Sequence, residues 1–328
     1  MYKPQLQDPH LTNQPSLSPL PDASRPAGLI QVLSPEGHFP GWLIEELKAL
    51  GTIGVTSYQT VAQAKEKTLT QSYDLYLLPD RTIIEGITHQ KFQPLPPNLL
   101  QAKEWPLPLY LNHPLDRQNQ FSIPYGCTYY GFAYHQDAFP KGIQKWKELF
   151  QSDDFSQTDF PNDPELLYVL TVIADEQVGK PDKKLDFKTP TDPKNEEFPI
   201  KVRTLSELLK IAAQNPHWRI VRPEEGSPIE LYHLALGNTL PTTLELLKKI
   251  LNPIVAARIS EENYFGSTFK AVQTIQNPEI RKKLYPDSKW IDKSIFIRPP
   301  KASKAAPSLG LSVLMLGGSF SSSWPLFS

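Results

Sequence analysis

The sequence predicts an α/β protein built as two lobes, and three observations lead to this class. The chain has 328 residues, which suits two units of about 100–200 residues better than one small core. Over residues 29–90, apolar runs of strand length alternate with helix-length segments, as expected for parallel strands joined by crossovers. A new extended segment begins near residue 121, and further helices and strands follow it.

The first part of the chain alternates strand and helix three times. We expect strands at 29–33, 53–59 and 73–79, and helices at 41–50, 60–69 and 82–90. Ligands of open α/β sheets bind beyond the carboxyl ends of the strands. For this lobe those ends are residues 34–38 and 80–82.

The segment FSIPYGCTYYGFAYHQDAF, residues 121–139, contains seven aromatic residues in nineteen positions. Its β-branched, aromatic and glycine residues predict an extended conformation up to residue 134, and a helix is expected behind it within 137–152. The preceding residues, 93–120, contain too many prolines for regular structure.

The remaining elements are less regular. We expect helices at 164–177, 204–215 and 240–266, the last broken at Pro253, strands at 218–223 and 228–236, and irregular structure after 266. Residues 178–203 mix charges and prolines with few large apolar side chains, which predicts a mobile loop. Residues 1–28 are expected to be disordered, and residues 299–328 to form a loose tail.

Composition excludes some function classes. The formal net charge is -1 with no long run of one sign, so no attraction to nucleic acid or to an anionic membrane is expected. Cys127 is the only cysteine, which rules out an intrachain disulfide. The first 28 residues lack the apolar core of a secretory signal, and the apolar patch at 309–316 is shorter than the roughly 20 residues that span a bilayer.

No catalytic motif is evident. The sequence has no nucleophile elbow and no phosphate-binding glycine loop, so we expect no enzymatic activity and no cofactor. We expect no metal site either, although residues far apart in sequence can still meet in space. The histidines show no paired ligand spacing; they are residues 10, 38, 89, 113, 135, 217 and 233.

The order of landmarks resembles the spermidine/putrescine-binding proteins, the periplasmic solute receptors of bacterial ABC uptake systems. The resemblance extends from about Leu29 to Trp290 and depends on the following segments: GWLIEEL, YDLYLLP, FSIPYGCTYYGFAYHQDAF, WKELF, VRPEEGSPIELYHLAL, TLELLKKILNPIVAARISEENY and PEIRKKLYPDS. It implies a periplasmic-binding-protein-like fold of two lobes joined by hinge strands. The first lobe would comprise 29–124 and 228–298, and the second, reduced, lobe 125–227.

The resemblance also implies a set of ligand-binding residues. The family stacks aromatic rings on a polyamine and places carboxylates at its ammonium groups. Two family positions are matched, by Glu165 and Tyr264, whereas others are replaced: Pro35 and His38 stand where the family has a tryptophan and a tyrosine. The substrate-binding residues expected on this basis are Glu36, Asp80, Tyr125, Glu165, Glu230, Tyr232 and Tyr264.

Two functions follow from the resemblance. The first is a monomeric solute-binding receptor of an ABC uptake system, with a putrescine- or spermidine-like cation as ligand, an ABC permease as partner and a periplasmic location. The second is a degenerate scaffold that has lost its ligand site and acts through protein contacts. The order of the lobes and the hinge strand favour the first function, which we take as the main hypothesis. The altered binding residues, the trimmed second lobe, which would widen the cleft, and the lack of a visible export signal favour the second.

Overall fold

The computed structural model describes residues 28–297, apart from 98, 100–105, 108–109, 112–115, 117–118, 152–155 and 179–197. The expected N-terminal segment before residue 28, the C-terminal tail and most of the expected mobile loop therefore lie outside the described residues. Within the described ranges, no helix is both long enough and apolar enough to cross a membrane.

The described strands and helices follow the predicted alternation. The strands are β1 (Leu29–Pro35), β2 (Thr52–Tyr58), β3 (Leu75–Pro79), β4 (Ser122–His135), β5 (Thr158–Asp159), β6 (Ile200–Thr204), β7 (Trp218–Val221), β8 (Pro228–Leu236), β9 (Gly266–Ser267) and β10 (Ile295–Phe296). The helices are α1 (Gly41–Leu47), α2 (Val61–Thr70), α3 (Asp80–Thr88), α4 (Trp146–Gln151), α5 (Pro164–Val178), α6 (Leu205–Gln214), α7 (Pro241–Leu251), α8 (Pro253–Asn263), α9 (Lys270–Ile275), α10 (Pro278–Leu284) and α11 (Ser288–Asp292).

The main sheet has the strand order β2-β1-β3-β8-β4-β6-β5. Strands β1, β2 and β3 pair in parallel, as the strand–helix alternation predicted, and β8 joins β3 in the antiparallel direction. Thr60 opens α2 by accepting a hydrogen bond from the backbone N–H of Gln63, and Pro253 begins α8, so the predicted helix start and helix break are both confirmed.

Strand β4 connects the two parts of the sheet. It pairs with β8 as far as Tyr129 and with β6 from Tyr130 onwards. A bulge between Pro124 and Gly126 disrupts the pairing with β8. Residues 122–135 of the aromatic segment singled out in the sequence thus form a single strand that belongs to both lobes.

Each lobe has its own apolar core. In the first lobe, α1, α7 and α8 pack on the sheet through side chains such as Leu43, Leu247 and Ile259. In the second lobe, Phe132 of β4 packs against Trp146 of α4, with ring centroids 5.2 Å apart. The second lobe's strands are short, since β5, β6 and β7 have two, five and four residues.

Two predictions of irregular structure are wrong. Residues 200–203 were expected to be the end of a mobile loop, yet they belong to β6, and Ile200 and Val202 are fully buried. The region after residue 266 was expected to be irregular, yet it contains three short helices. Asn277 and Asp287 cap α10 and α11 through their side chains, which explains how such short helices begin.

Candidate functional site

The candidate site lies where the two lobes meet and is centred on Arg81. The buried strand β3 ends at Pro79, and Arg81 is the second residue of the helix that follows. Its side chain is only 1% exposed. This position is the carboxyl end of a parallel strand, where the sequence predicted a ligand site.

Three carboxylates converge on the Arg81 guanidinium. Asp163 accepts hydrogen bonds from Nη1 at 2.7 Å and from Nη2 at 2.5 Å. Glu230 on β8 accepts from Nε at 2.8 Å, and Glu165 in the first turn of α5 accepts from Nη1 at 3.1 Å. We call these four residues the junction cluster, because Arg81 belongs to the first lobe whereas Asp163 and Glu165 belong to the second.

Burial and charge both act on the junction cluster. Burial alone would lower the pKa of Arg81, but Glu230 and Asp163 raise it above its ordinary value, so Arg81 remains charged. Burial raises the pKa of Glu230, and Arg81 opposes that rise. The side chain of Glu165, by contrast, is 58% exposed.

The carboxylates are held in place by backbone and tyrosine contacts. Asp163 Oδ1 also accepts hydrogen bonds from the backbone N–H groups of Glu165 at 3.2 Å and Leu166 at 3.1 Å, at the start of α5. Tyr130 donates its hydroxyl proton to Glu230 Oε2 at 3.2 Å. Burial and the nearby Glu230 raise the pKa of Tyr130 well above 10, so its hydroxyl remains a donor.

An aromatic group lies beside the junction cluster. It consists of Tyr232, His38 and Phe265, with Phe265 edge-on to His38 at 4.7 Å and to Tyr232 at 5.1 Å between ring centroids. Because Tyr232 is two residues from Glu230 on β8, the two side chains share one face of the strand. Burial lowers the pKa of His38 to about 4, which keeps the imidazole neutral at pH 7.

A buried polar chain supports the start of α3 and therefore positions Arg81. Asp80, the first residue of the helix, lies 3.3 Å from His233 Nε2, and His233 Nδ1 lies 3.1 Å from Ser122 Oγ. Ser122 donates to Asp116 at 2.9 Å. Exposure is at most 3% for each of these four residues. A buried network of polar groups of this kind favours one arrangement of the strand ends.

The structure brings three of the seven predicted binding residues together. Glu165 and Glu230 are members of the junction cluster, and Tyr232 belongs to the adjacent aromatic group. The role of these residues in binding remains a prediction, but their proximity gives it a geometric basis.

The other four predicted residues are not members of the junction cluster, although the Tyr125 ring lies 6.3 Å from that of Phe265. Glu36 is exposed and accepts a hydrogen bond from Gln59 Nε2 at 2.7 Å. Asp80 is 1% exposed within the buried chain, and Tyr125 is 3% exposed within the first lobe's core. Tyr264 follows the last residue of α8 and adopts the left-handed conformation, with φ of 51°. Its side chain is partly buried and packs against an apolar cluster that includes Tyr129, Leu284 and Trp290.

Sequence reasoning missed three residues of the site: Arg81, Asp163 and Tyr130. The available signal for Arg81 was a basic residue two positions after a fully apolar strand, in a region that β/α folds use for ligands. Asp163 precedes a proline that begins a helix, which is a typical capping position. Tyr130 carried no local signal beyond its place in the aromatic segment.

Comparison with known proteins identifies the fold. No family model matches the sequence, and no curated protein does. Among solved structures, a putative spermidine/putrescine ABC transporter from Listeria monocytogenes matches with a TM-score of 0.68 at 14% identity, over 85% of this chain and 95% of that chain. The spermidine/putrescine ABC transporter substrate-binding protein PotD from Streptococcus pneumoniae matches with a TM-score of 0.66 at 15% identity, over 82% and 92%.

The same fold also carries a different ligand. A periplasmic binding protein from A. tumefaciens R10, solved with agropinic acid, matches with a TM-score of 0.56 at 12% identity, over 81% of this chain and 94% of that chain. Identities this low show a shared fold and not a shared ligand. The predicted two-lobed fold of periplasmic binding proteins is confirmed.

Proposed function

We propose that this protein is the solute-binding receptor of an ABC-type uptake system and that its cleft selects a cationic solute of the putrescine or spermidine class. The observation that supports this proposal is the convergence of Asp163, Glu165 and Glu230 on one cationic group between the lobes. When carboxylates from both lobes surround one cation, binding of that cation can be coupled to closure of the lobes.

The junction cluster retains negative charge for a second cation. It contains three carboxyl groups and one guanidinium, and Glu165 engages Arg81 through Oε2 alone. The aromatic group adds rings without positive charge, since His38 is neutral at pH 7. A cation over such a ring gains about 0.5–2 kcal/mol, and a methylene chain can pack on the same surface. These features suit an amine better than an acid.

Calorimetric titration tests the proposal. Spermidine and putrescine should bind the wild-type protein in a saturable manner, whereas the uncharged analogue 1,4-butanediol should not. Glu165→Gln should weaken amine binding about tenfold or more, because a charge-assisted hydrogen bond is worth about 1.5–3 kcal/mol. Glu279→Gln, on exposed α10, is the matched control and should bind as the wild type does.

The second candidate function is a scaffold that acts through protein contacts, and one observation favours it. Arg81 already supplies a cation to all three carboxylates. If that side chain has replaced the ligand permanently, the folded wild-type protein would give flat amine titrations, whereas Arg81→Ala would gain amine binding. Wild-type binding that is weakened by Glu165→Gln would instead support the receptor.

The buried Asp80–His233–Ser122 chain is not proposed as a catalytic site. Its order matches that of an acid, a base and a nucleophile, but Ser122 and His233 have zero exposure, so a substrate carbonyl could not reach the hydroxyl. We therefore propose a binding function without catalysis.

The proposed partner is the permease of the uptake system, and the proposed location is the periplasm or outer envelope. Cell fractionation with mass spectrometry of the native N-terminus tests the location. Recovery of a processed chain from the envelope fraction would agree with the proposal, and recovery of the chain only from the cytoplasmic fraction would contradict it.

A further inference from the structure

Two histidines and one aspartate meet on the surface of the second lobe, away from the residues used above. His217 Nδ1 lies 3.2 Å from Asp137 Oδ2, and His135 Nδ1 lies 3.8 Å from the same oxygen. The donor atoms of all three side chains lie within 4.8 Å of one another. The spacing of these residues along the chain gave no indication of such a group.

The backbone holds the two imidazoles side by side. His135 is the last residue of β4, and His217 precedes β7, which pairs with β4 in the antiparallel direction. The N–H of Gln136 donates to the carbonyl of His217 at 2.9 Å, which extends this pairing to the histidine itself. The imidazole rings are stacked, with centroids 5.5 Å apart and planes 8° from parallel.

A second contact orders the loop before β7. The N–H of His217 donates to Asn215 Oδ1 at 2.9 Å. His135 therefore ends β4, Asp137 lies in the turn that follows it, and His217 immediately precedes β7, whose pairing with β4 is set by main-chain hydrogen bonds. Binding of an ion here requires rotation of side chains and not rearrangement of the backbone.

We propose that His135, Asp137 and His217 form a binding site for a divalent transition-metal ion of the Zn²⁺ type. Imidazole nitrogen and carboxylate oxygen are typical zinc ligands, with bonds of about 2.0–2.2 Å. In a tetrahedral site, bonds of that length place neighbouring ligand atoms about 3.3 Å apart. The His217–Asp137 separation of 3.2 Å already meets this value, and the His135–Asp137 separation of 3.8 Å needs a shift of about half an ångström.

The ligand set also determines which ions are preferred. Two imidazoles and one carboxylate favour Zn²⁺, Ni²⁺ and Cu²⁺ over Mg²⁺ and Ca²⁺, which prefer oxygen ligands. With neutral histidines the three side chains carry a formal charge of -1, which favours a dication. The fourth position would be taken by water, since His217 and Asp137 are exposed by 57% and 68%.

Trp218 provides an internal reporter for the site. Its indole lies edge-on to the His135 ring, with centroids 5.5 Å apart. A paramagnetic ion such as Cu²⁺ bound at His135 should therefore quench the fluorescence of Trp218. The Trp218→Phe variant should lose this quenching and still bind one equivalent of Zn²⁺ by calorimetry.

The test uses the full chain without a histidine tag, after treatment with a chelator and its removal. Zn²⁺ titrated alone should bind with a stoichiometry of one and should raise the unfolding temperature. His135→Ala and His217→Ala should each weaken binding at least tenfold, and Asp137→Asn should weaken it less. Excess Ca²⁺ should not displace Zn²⁺. His89→Ala removes an exposed histidine of the first lobe and serves as the matched control, with unchanged binding.

Three results would overturn the proposal. They are a flat Zn²⁺ titration, binding that His135→Ala and His217→Ala leave unchanged, and binding that His89→Ala weakens as much as they do. Circular dichroism of each variant separates loss of a ligand from loss of fold. Because the site is separate from the junction cluster, either proposal can fail without the other.

Discussion

The interior of each lobe and the junction between the lobes are stabilised by different interactions. Apolar side chains form the core of each lobe: Leu247 in the first lobe and Trp146 in the second have no exposed surface. The junction is ionic, with Arg81 enclosed by three carboxylates. Apolar burial is non-directional and persists in salt, whereas ion pairs depend on geometry and can exchange partners. From this difference we expect the lobes to persist as units and the junction to be the part that can open.

The largest effect on the free energy of unfolding is expected from a substitution in the interior of the second lobe. Trp146→Ala removes a fully buried indole and leaves the carbonyl of Gly226 without the hydrogen bond that it accepts from Nε1 at 3.0 Å. The free energy of unfolding should fall by about 3–5 kcal/mol. Urea unfolding at two salt concentrations measures this loss, and the loss should not depend on salt. A loss below about 1 kcal/mol would show that the apolar core matters less than we infer.

Substitution of Arg81 at the junction should lower the free energy of unfolding almost as much, through loss of a buried ion pair. Arg81→Ala leaves the buried Glu230 without its charge partner, which costs about 3–5 kcal/mol for a fully buried pair. We expect about 3 kcal/mol, because Glu165 is exposed and can be hydrated. Lys48→Ala breaks an exposed pair with Glu45 and should change stability by less than about 1 kcal/mol. Equal effects of the two variants in urea unfolding would contradict the central role of Arg81.

Substitution of His38 in the aromatic group should have the next largest effect on the free energy of unfolding, and this effect should depend on pH. The pKa of His38 in the folded protein is about 4, below the value of 6.5 expected for the unfolded chain. The folded state therefore binds fewer protons than the unfolded state does. The stability that depends on neutral His38 is fully present above pH 6.5 and is lost as the pH falls towards 4. Between pH 7 and pH 4.5, the wild type should lose about 2 kcal/mol more than His38→Gln. His89→Gln, with an exposed histidine, should behave as the wild type does in urea unfolding at both pH values.

The smallest effect on stability is expected at Glu165. Its side chain is 58% exposed, so Glu165→Gln should reduce the free energy of unfolding by at most about 1 kcal/mol. The same variant should reduce amine affinity by about tenfold or more, as proposed above. A stability loss comparable to that of Arg81→Ala would mean that Glu165 holds the junction and does not receive a ligand.

Local sequence patterns were sufficient for most long elements. The predicted strand 228–236 coincides with β8 because this largely apolar segment lies between turn-forming residues, at 226–227 and 237–238. Strand β6 was missed because IKVRT is short and follows a charged, proline-rich segment. Its buried Ile200 and Val202 alternate with polar residues, which was the available signal.

The site was less predictable than the fold because it is formed by residues far apart in the chain. Arg81 and Glu230 are separated by 149 positions, and His217 and Asp137 by 80. A local pattern cannot report such contacts. The family resemblance predicted Glu165, Glu230 and Tyr232, but it did not predict Arg81. The guanidinium of Arg81 lies between the three carboxylates.

The distance between the lobes tests the central claim most directly. Nitroxide labels at Glu66→Cys on α2 and Lys147→Cys on α4 report this distance by double electron–electron resonance, since both positions are exposed. Cys127 should remain unlabelled at pH 7, because burial raises the pKa of its thiol to about 12. We expect one narrow distance when Arg81 is present and a broader, longer distribution in Arg81→Ala. Identical distributions in two folded samples would contradict the claim that Arg81 holds the lobes together.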